Sequence, residues 1–166
     1  NCSKTKNFTL SYNSRPVISD INVQGLTVTI NTLQSGSFEY SLDGQEYQDS
    51  NVFTVPEGGS YTGYVREKNQ CGFDNRPFVV ISYPDFFTPN GDNINDTWYV
   101  KGGANFATVE VSIFDRFGKL ITVLNTANPS WDGTFNGKAL PASDYWFVAK
   151  INDTFPETKG HFSLKR

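Results

Sequence analysis

The residues best suited to chemistry in this chain lie in one stretch, Asn90-Gly91-Asp92-Asn93-Ile94-Asn95-Asp96, which crowds carboxylate and amide oxygens together. Such hard oxygens suit calcium, which takes roughly six to eight of them. Asp92, Asn95 and Asp96 are the candidate ligands. The spacing departs from the EF-hand pattern, because Ile94 interrupts the alternation and no Glu stands at the twelfth position. The second reading is a set of Asx turns, in which Asp and Asn side chains accept hydrogen bonds from nearby backbone N–H groups. A chelator separates the two: loss of loop order marks a metal, indifference marks turns.

Catalytic chemistry finds little to build on. The single histidine, His161, falls in the last alternating segment with no Cys near it, and neither G-x-S-x-G nor H-E-x-x-H occurs. Carboxylate pairs such as Asp92 and Asp96, or Asp144 and Asp153, arise by chance in any small domain. The expectation is a binding protein with no catalytic residue. Cys2 and Cys71 are the only cysteines, and no Cys or His neighbour gives them metal-ligand spacing. Their natural reading is one disulfide across about 70 residues, worth a few kcal/mol in the chain-entropy picture; the other is two buried thiols in a reducing compartment.

Bulk properties exclude further classes. Fourteen basic and 17 acidic residues leave a net charge of −3, spread evenly along 166 residues. That is no electrostatic footprint for nucleic acid or anionic lipid. No run approaches the roughly 18 apolar residues that a spanning helix needs. The absence of Met reads as a processed or excised piece, with any signal peptide outside it.

Positioning these residues falls to β-structure, since helical spacing is nearly absent and short alternating stretches recur between Gly, Pro, Asn and Asp. Leu26 to Ile30 and Phe38 to Leu42 alternate as half-buried strands. Asp43-Gly44 signals a type I′ hairpin turn. Val52 to Val55 and Tyr61 to Glu67 follow, separated by Pro56-Glu57-Gly58-Gly59. A second set starts near Tyr83-Pro84: Val109 to Phe114 and Lys119 to Leu124 around an Asp115 to Gly118 turn, an Asn136-Gly137 turn, and closing strands Tyr145 to Ile151 and Gly160 to Leu164. Trp131, Tyr145, Trp146, Phe147 and Phe162 supply large apolar surfaces. The fold class is all-β: two small antiparallel, immunoglobulin-like β-sandwiches in tandem, residues 1–82 and 83–166, with a short, stiff joint.

The blocks FFTPNGDNINDTW (86–98), IFDRFGKLI (113–121), WDGTFNGKALPASDYWF (131–147) and GHFSLKR (160–166) resemble the gliding-motility-associated C-terminal domain, the type B sorting domain of the type IX secretion system in Bacteroidota. Asn93 stands where that family usually carries Gly, a position suggesting the αL conformation, which Asn tolerates. YSLDG (40–44) and GSYTGYVREKNQCG (59–72) resemble immunoglobulin-like adhesin repeats that precede such domains. The resemblance implies a C-terminal secretion signal that crosses the inner membrane with its cargo, folds in the periplasm and is bound there for export to the cell surface or medium. Implied partners are the outer-membrane type IX translocon, a PorV-like shuttle protein and a gliding-motility partner barrel: outer-membrane proteins rather than lipid, and no nucleic acid.

Candidate contacts are Phe86, Phe87, Pro89, Asn90, Gly91, Lys165 and Arg166. Strand alternation turns one of the two phenylalanines inward and the other outward as the contact. Lys165 and Arg166 place two cations beside a terminal carboxylate, a compact feature for a receptor to read in an extended strand; a frayed, solvated terminus is the alternative. Two other functions stay open. Tyr47, Tyr61, Tyr64 or Trp98 stacking on sugar rings would give a carbohydrate-binding or adhesive module, and an open sheet edge would give a strand donor or filament subunit.

Overall fold

A computed structural model describes residues 3–7, 15–69, 72–152 and 156–166. Cys2 and Cys71 lie outside the described residues, and with them the expected disulfide. Among the described residues the regular structure is β-strand, apart from a 3-10 turn at Gly103–Asn105. The chain divides into two compact units, one of Asn1–Asn22, Thr29–Phe53 and Thr62–Pro77, the other of Val23–Val28, Thr54–Tyr61 and Phe78–Arg166.

Six strands come first: β1 (Ile18–Gln24), β2 (Thr27–Thr32), β3 (Phe38–Ser41), β4 (Val52–Thr54), β5 (Gly59–Glu67) and β6 (Phe73–Val80). They form two three-stranded sheets, β1-β2-β4 and β3-β5-β6. Alternation fills a small core with Ile18, Ile30, Phe38 and Val65. The Asp43-Gly44 expectation needs correction. Gly44 has φ 72°, but Asp43 is not among the residues with positive φ, as a type I′ turn demands. The chain instead returns to pair Gln48 with Tyr40. Local polar bonds hold this longer loop: buried Ser41 Oγ accepts the N–H groups of Asp43 and Gly44, and Asp43 Oδ1 accepts those of Gln45 and Glu46.

The later strands are β7 (Phe86–Phe87), β8 (Trp98–Tyr99), β9 (Glu110–Phe114), β10 (Leu120–Leu124), β11 (Ser130–Trp131), β12 (Thr134–Phe135), β13 (Lys138–Ala139), β14 (Ser143–Lys150) and β15 (Thr158–Leu164). A five-stranded sheet runs β10-β9-β14-β15-β7, accompanied by the two-stranded ladders β11-β8 and β12-β13. Two turns form as their residues dictate. Asn136 and Gly137, at φ 52° and 74°, make the two-residue link between β12 and β13. Asp115 Oδ1 accepts the N–H groups of Phe117 and Lys119 while Gly118 takes φ 78°, closing β9 onto β10.

Inward-facing residues of the large sheet, among them Val111, Ile113, Tyr145, Phe147, Phe162 and Leu164, share one core with Phe87, Trp98 and Trp131. Trp98 stacks on Phe162 with centroids 4.1 Å apart, and Trp131 meets Tyr145 edge-on at 4.9 Å. Both indoles donate to backbone, Trp98 to Pro84 O and Trp131 to Thr134 O, so burying them leaves no polar group unpaired. Trp146 breaks from its aromatic neighbours. It occupies the outward position between buried Tyr145 and Phe147.

Candidate recognition surface

The two ends of the second half meet at one sheet edge. Strand β7 lies parallel to β15, pairing Phe86 with Ser163 and Phe87 with Leu164. Alternation then sorts the phenylalanines as their types require: Phe87 is 1% exposed in the core and Phe86 is 42% exposed on the outside. Lys165 Nζ stands 4.2 Å from the centroid of the Phe86 ring, within cation–π reach. Two residues 79 positions apart in sequence thus form a single cationic and aromatic feature.

The final residues are held rather than frayed. Lys165 N–H donates to Phe87 O at 3.0 Å. Arg166 donates from Nε to Leu140 O and from Nη2 to Gly133 O, at 3.0 and 3.3 Å. Arg166 therefore faces the β12–β13 hairpin and shares no contact with Phe86 in the way Lys165 does. The expected grouping of Lys165 with Arg166 separates into an outer-face residue and a clasp.

The loop after β7 folds around Asp96. Its Oδ1 accepts the N–H groups of Asn90 and Gly91 at 2.8 and 2.7 Å, and its Oδ2 accepts that of Asn93 at 2.7 Å. Asn93 and Asn95 take φ 66° and 54°, the positive φ that the αL conformation expected at Asn93 requires. The Gly91 hydrogen bond is the foremost reason that the Asp96 carboxyl titrates below its ordinary range, with those from Asn93 and Asn90 adding to it against a partial opposing effect of burial. Asp92 is likewise engaged, Oδ1 accepting Ile94 N–H and Oδ2 accepting Asn90 Nδ2. Asn95 contributes its backbone carbonyl to Thr88 N–H. Every oxygen of the two carboxylates already accepts a donor from its own loop. Among the described residues no three Asp, Glu, His or Cys side chains stand together as a metal site. The hydrogen bonds of Asp92 and Asp96 are those of Asx turns.

The aromatics named for sugar stacking differ in exposure. Trp98 is fully buried, which removes it as a surface residue. Tyr47 lies under the Arg66 guanidinium at 3.7 Å, Tyr61 stacks with Phe78, and Tyr64 is half-buried. His161 is exposed on β15, paired with Trp146.

Residues 81–164, half of the chain, match the family described as the CHU_C type IX secretion signal domain. The chain belongs to that family. The match takes in β7 through β15, the Asp96-centred loop and Phe86. No curated protein matches the chain. Among solved structures, the crystal structure of dimeric latent PorU from Porphyromonas gingivalis aligns over 91% of this chain and 20% of that one, at 12% identity and a TM-score of 0.32. The chain therefore spans about a fifth of that protein's length, and a likeness so distant carries no argument. A type IX secretion signal serves sorting and directs its carrier to the cell surface or the medium.

The sequence reading missed the surface beside Phe86. In the sequence Trp146 stands among the large apolar side chains of its segment, and Leu120 carries no distinguishing mark. Strict alternation through Tyr145, Trp146 and Phe147 was the available signal: two of the three must share a face, and the middle one must oppose them.

Proposed function

We propose that residues 83–166 are the sorting label, bound as a folded domain by the outer-membrane type IX translocon, its PorV-like shuttle and a gliding-motility partner barrel after passage through the periplasm. Residues 1–82 act as an immunoglobulin-like spacer that holds the cargo away from that machinery. The observation that carries this reading is the Phe86 and Lys165 pair. An aromatic ring 42% exposed beneath an ammonium group, on the edge strand of a family of secretion signals, is a feature the fold itself does not require. Pro89, Asn90 and Gly91 border it on a loop whose shape Asp96 fixes. Phe87 contributes by anchoring β7 in the core, and Arg166 by clasping the last strand.

The test is surface export of a fluorescent reporter fused to the whole chain and to residues 83–166, in a gliding bacterium with its translocon intact. Both fusions reach the surface, and Phe86→Ser with Lys165→Ser retains the reporter in the periplasm. Because Arg166 ties the terminus to Leu140 and Gly133, point changes are cleaner than deletion of the last two residues. Retention of both unmodified fusions overturns the sorting reading and favours adhesion.

A further inference from the structure

The outer face of the five-stranded sheet carries a transverse apolar row. Leu120 pairs with Phe114, Phe114 with Trp146, and Trp146 with His161, so four side chains from β10, β9, β14 and β15 line up across the strands. Paired residues share a face, and this face is opposite to that of buried Ile113, Phe147 and Phe162. The row continues to Phe86, whose pairing partner Ser163 lies two residues beyond His161 on the same side of β15. Half-buried Val123 and Val148 widen it on the other side. Trp146 is 42% and Leu120 47% exposed. With aromatic side chains spanning about 150–250 Å² each, Phe86, Trp146 and Leu120 together leave on the order of 300 Å² of apolar surface open, comparable to the largest patches on monomers. Surfaces of that kind mark interaction sites.

Charge on this face is asymmetric in its pairing. Lys159 has Glu157 at 3.2 Å, Lys150 is registered opposite Glu110, and Asp144 accepts the Ser163 hydroxyl. Lys165, at the Phe86 end, has the aromatic ring, and among the described residues no Asp or Glu side chain forms an ion pair with it. The complement to such a surface is an apolar ridge with a carboxylate at one end.

We infer that the Leu120-Phe114-Trp146 row, running on to Phe86 and Lys165, is the docking face of the sorting domain, and that its occupant is a protein surface of aliphatic side chains carrying an Asp or Glu opposite Lys165. This rests on the sorting reading and extends it from a two-residue feature to a sheet face spanning five strands. A sheet face suits it, because it offers a broad contact to a partner protein without backbone rearrangement.

The experiment uses the full chain fused to a fluorescent reporter, with surface and periplasmic pools counted separately. Leu120→Ser combined with Trp146→Ser lowers the surface pool at least tenfold while the purified chain still unfolds in a cooperative transition. Trp146→Gln, which retains a long side chain over Phe114, lowers it as well and guards against misfolding of the double variant. Lys165→Glu lowers export more than Lys165→Gln, since it sets like charges against the partner. Wild-type export levels in both Trp146 variants overturn the docking face while leaving the sorting reading intact. Equal falls for the two Lys165 variants overturn the acidic complement. Retention of the unmodified fusion overturns the sorting reading itself, and the face with it.

Discussion

Three backbone amides, those of Asn90, Gly91 and Asn93, point at the carboxylate of Asp96, and a carboxylate so held keeps its loop in shape only while ionised. Its folded pKa is depressed below the ordinary 3.8, so the stabilisation is fully present above that value and lost as pH falls through the lower folded value. An acid titration followed by the amide resonances of Gly91 and Asn93 shows a midpoint below 3.8. A midpoint at or above it sinks the Asx-turn account. The same account makes the loop indifferent to chelator: EDTA leaves these resonances in place, whereas a calcium loop loses them. Gly102 makes a second demand at this scale. It has φ 82°, and a Cβ there would stand 2.2 Å from Val80 O. Backbone cannot yield as a flexible side chain does, so Gly102→Ala costs about 2 kcal/mol or more, read as a lower denaturant midpoint.

Among elements, the parallel pairing of β7 with β15 decides most. It seats Phe87 beside Leu164 in the core and brings Phe86 under Lys165. The clasp by Arg166 then ties β15 to the β12–β13 hairpin. Arg166→Ala removes two hydrogen bonds to backbone carbonyls and is expected to destabilise by roughly 1 kcal/mol, with protection of the Lys165 amide in hydrogen exchange falling first. The hairpin itself depends on φ > 0 at Asn136 and Gly137. Gly137→Ala raises its cost by about 1 kcal/mol through Cβ sterics alone. The pairing was not legible in the sequence: two residues, Phe86 and Phe87, carry no periodicity. Their opposite orientations were legible, because adjacent strand residues cannot share a face.

At the scale of the molecule, the second core is organised around aromatic contact. Trp98 and Phe162 stack at 4.1 Å, with Phe87, Phe147 and Trp131 around Phe162. Trp98→Ala opens a cavity where collapse is limited by these neighbours, and a loss of roughly 3–5 kcal/mol is expected from equilibrium unfolding. Outer-face Trp146→Ser is expected to cost less than 1 kcal/mol, the worth of a cross-strand pair. The contrast separates the two tryptophans by role: one change unfolds the label, the other leaves it folded and blinds it to its receptor.

Much of this was determined by the sequence. Alternation and turn residues dictate an all-β chain, because strand period and φ > 0 at Asn136, Gly137 and Gly118 are local properties. The ordered blocks from Phe86 onward likewise carry the family without reference to coordinates. Tertiary structure alone decided which chemistry those residues perform. The Asp92 and Asp96 oxygens read in sequence as metal ligands or as Asx-turn acceptors, and only the curl of the backbone presents N–H groups to them. Asp43-Gly44 looks like a tight hairpin until Ser41 and Asp43 are seen to hold a longer loop. Leu120 and Phe114 belong to one hairpin, but Trp146 and Phe86 come from strands distant in sequence, and only hydrogen-bonded register brings all four onto one face. Local rules fix what each strand shows on each side; which strands stand together is a property of the whole sheet.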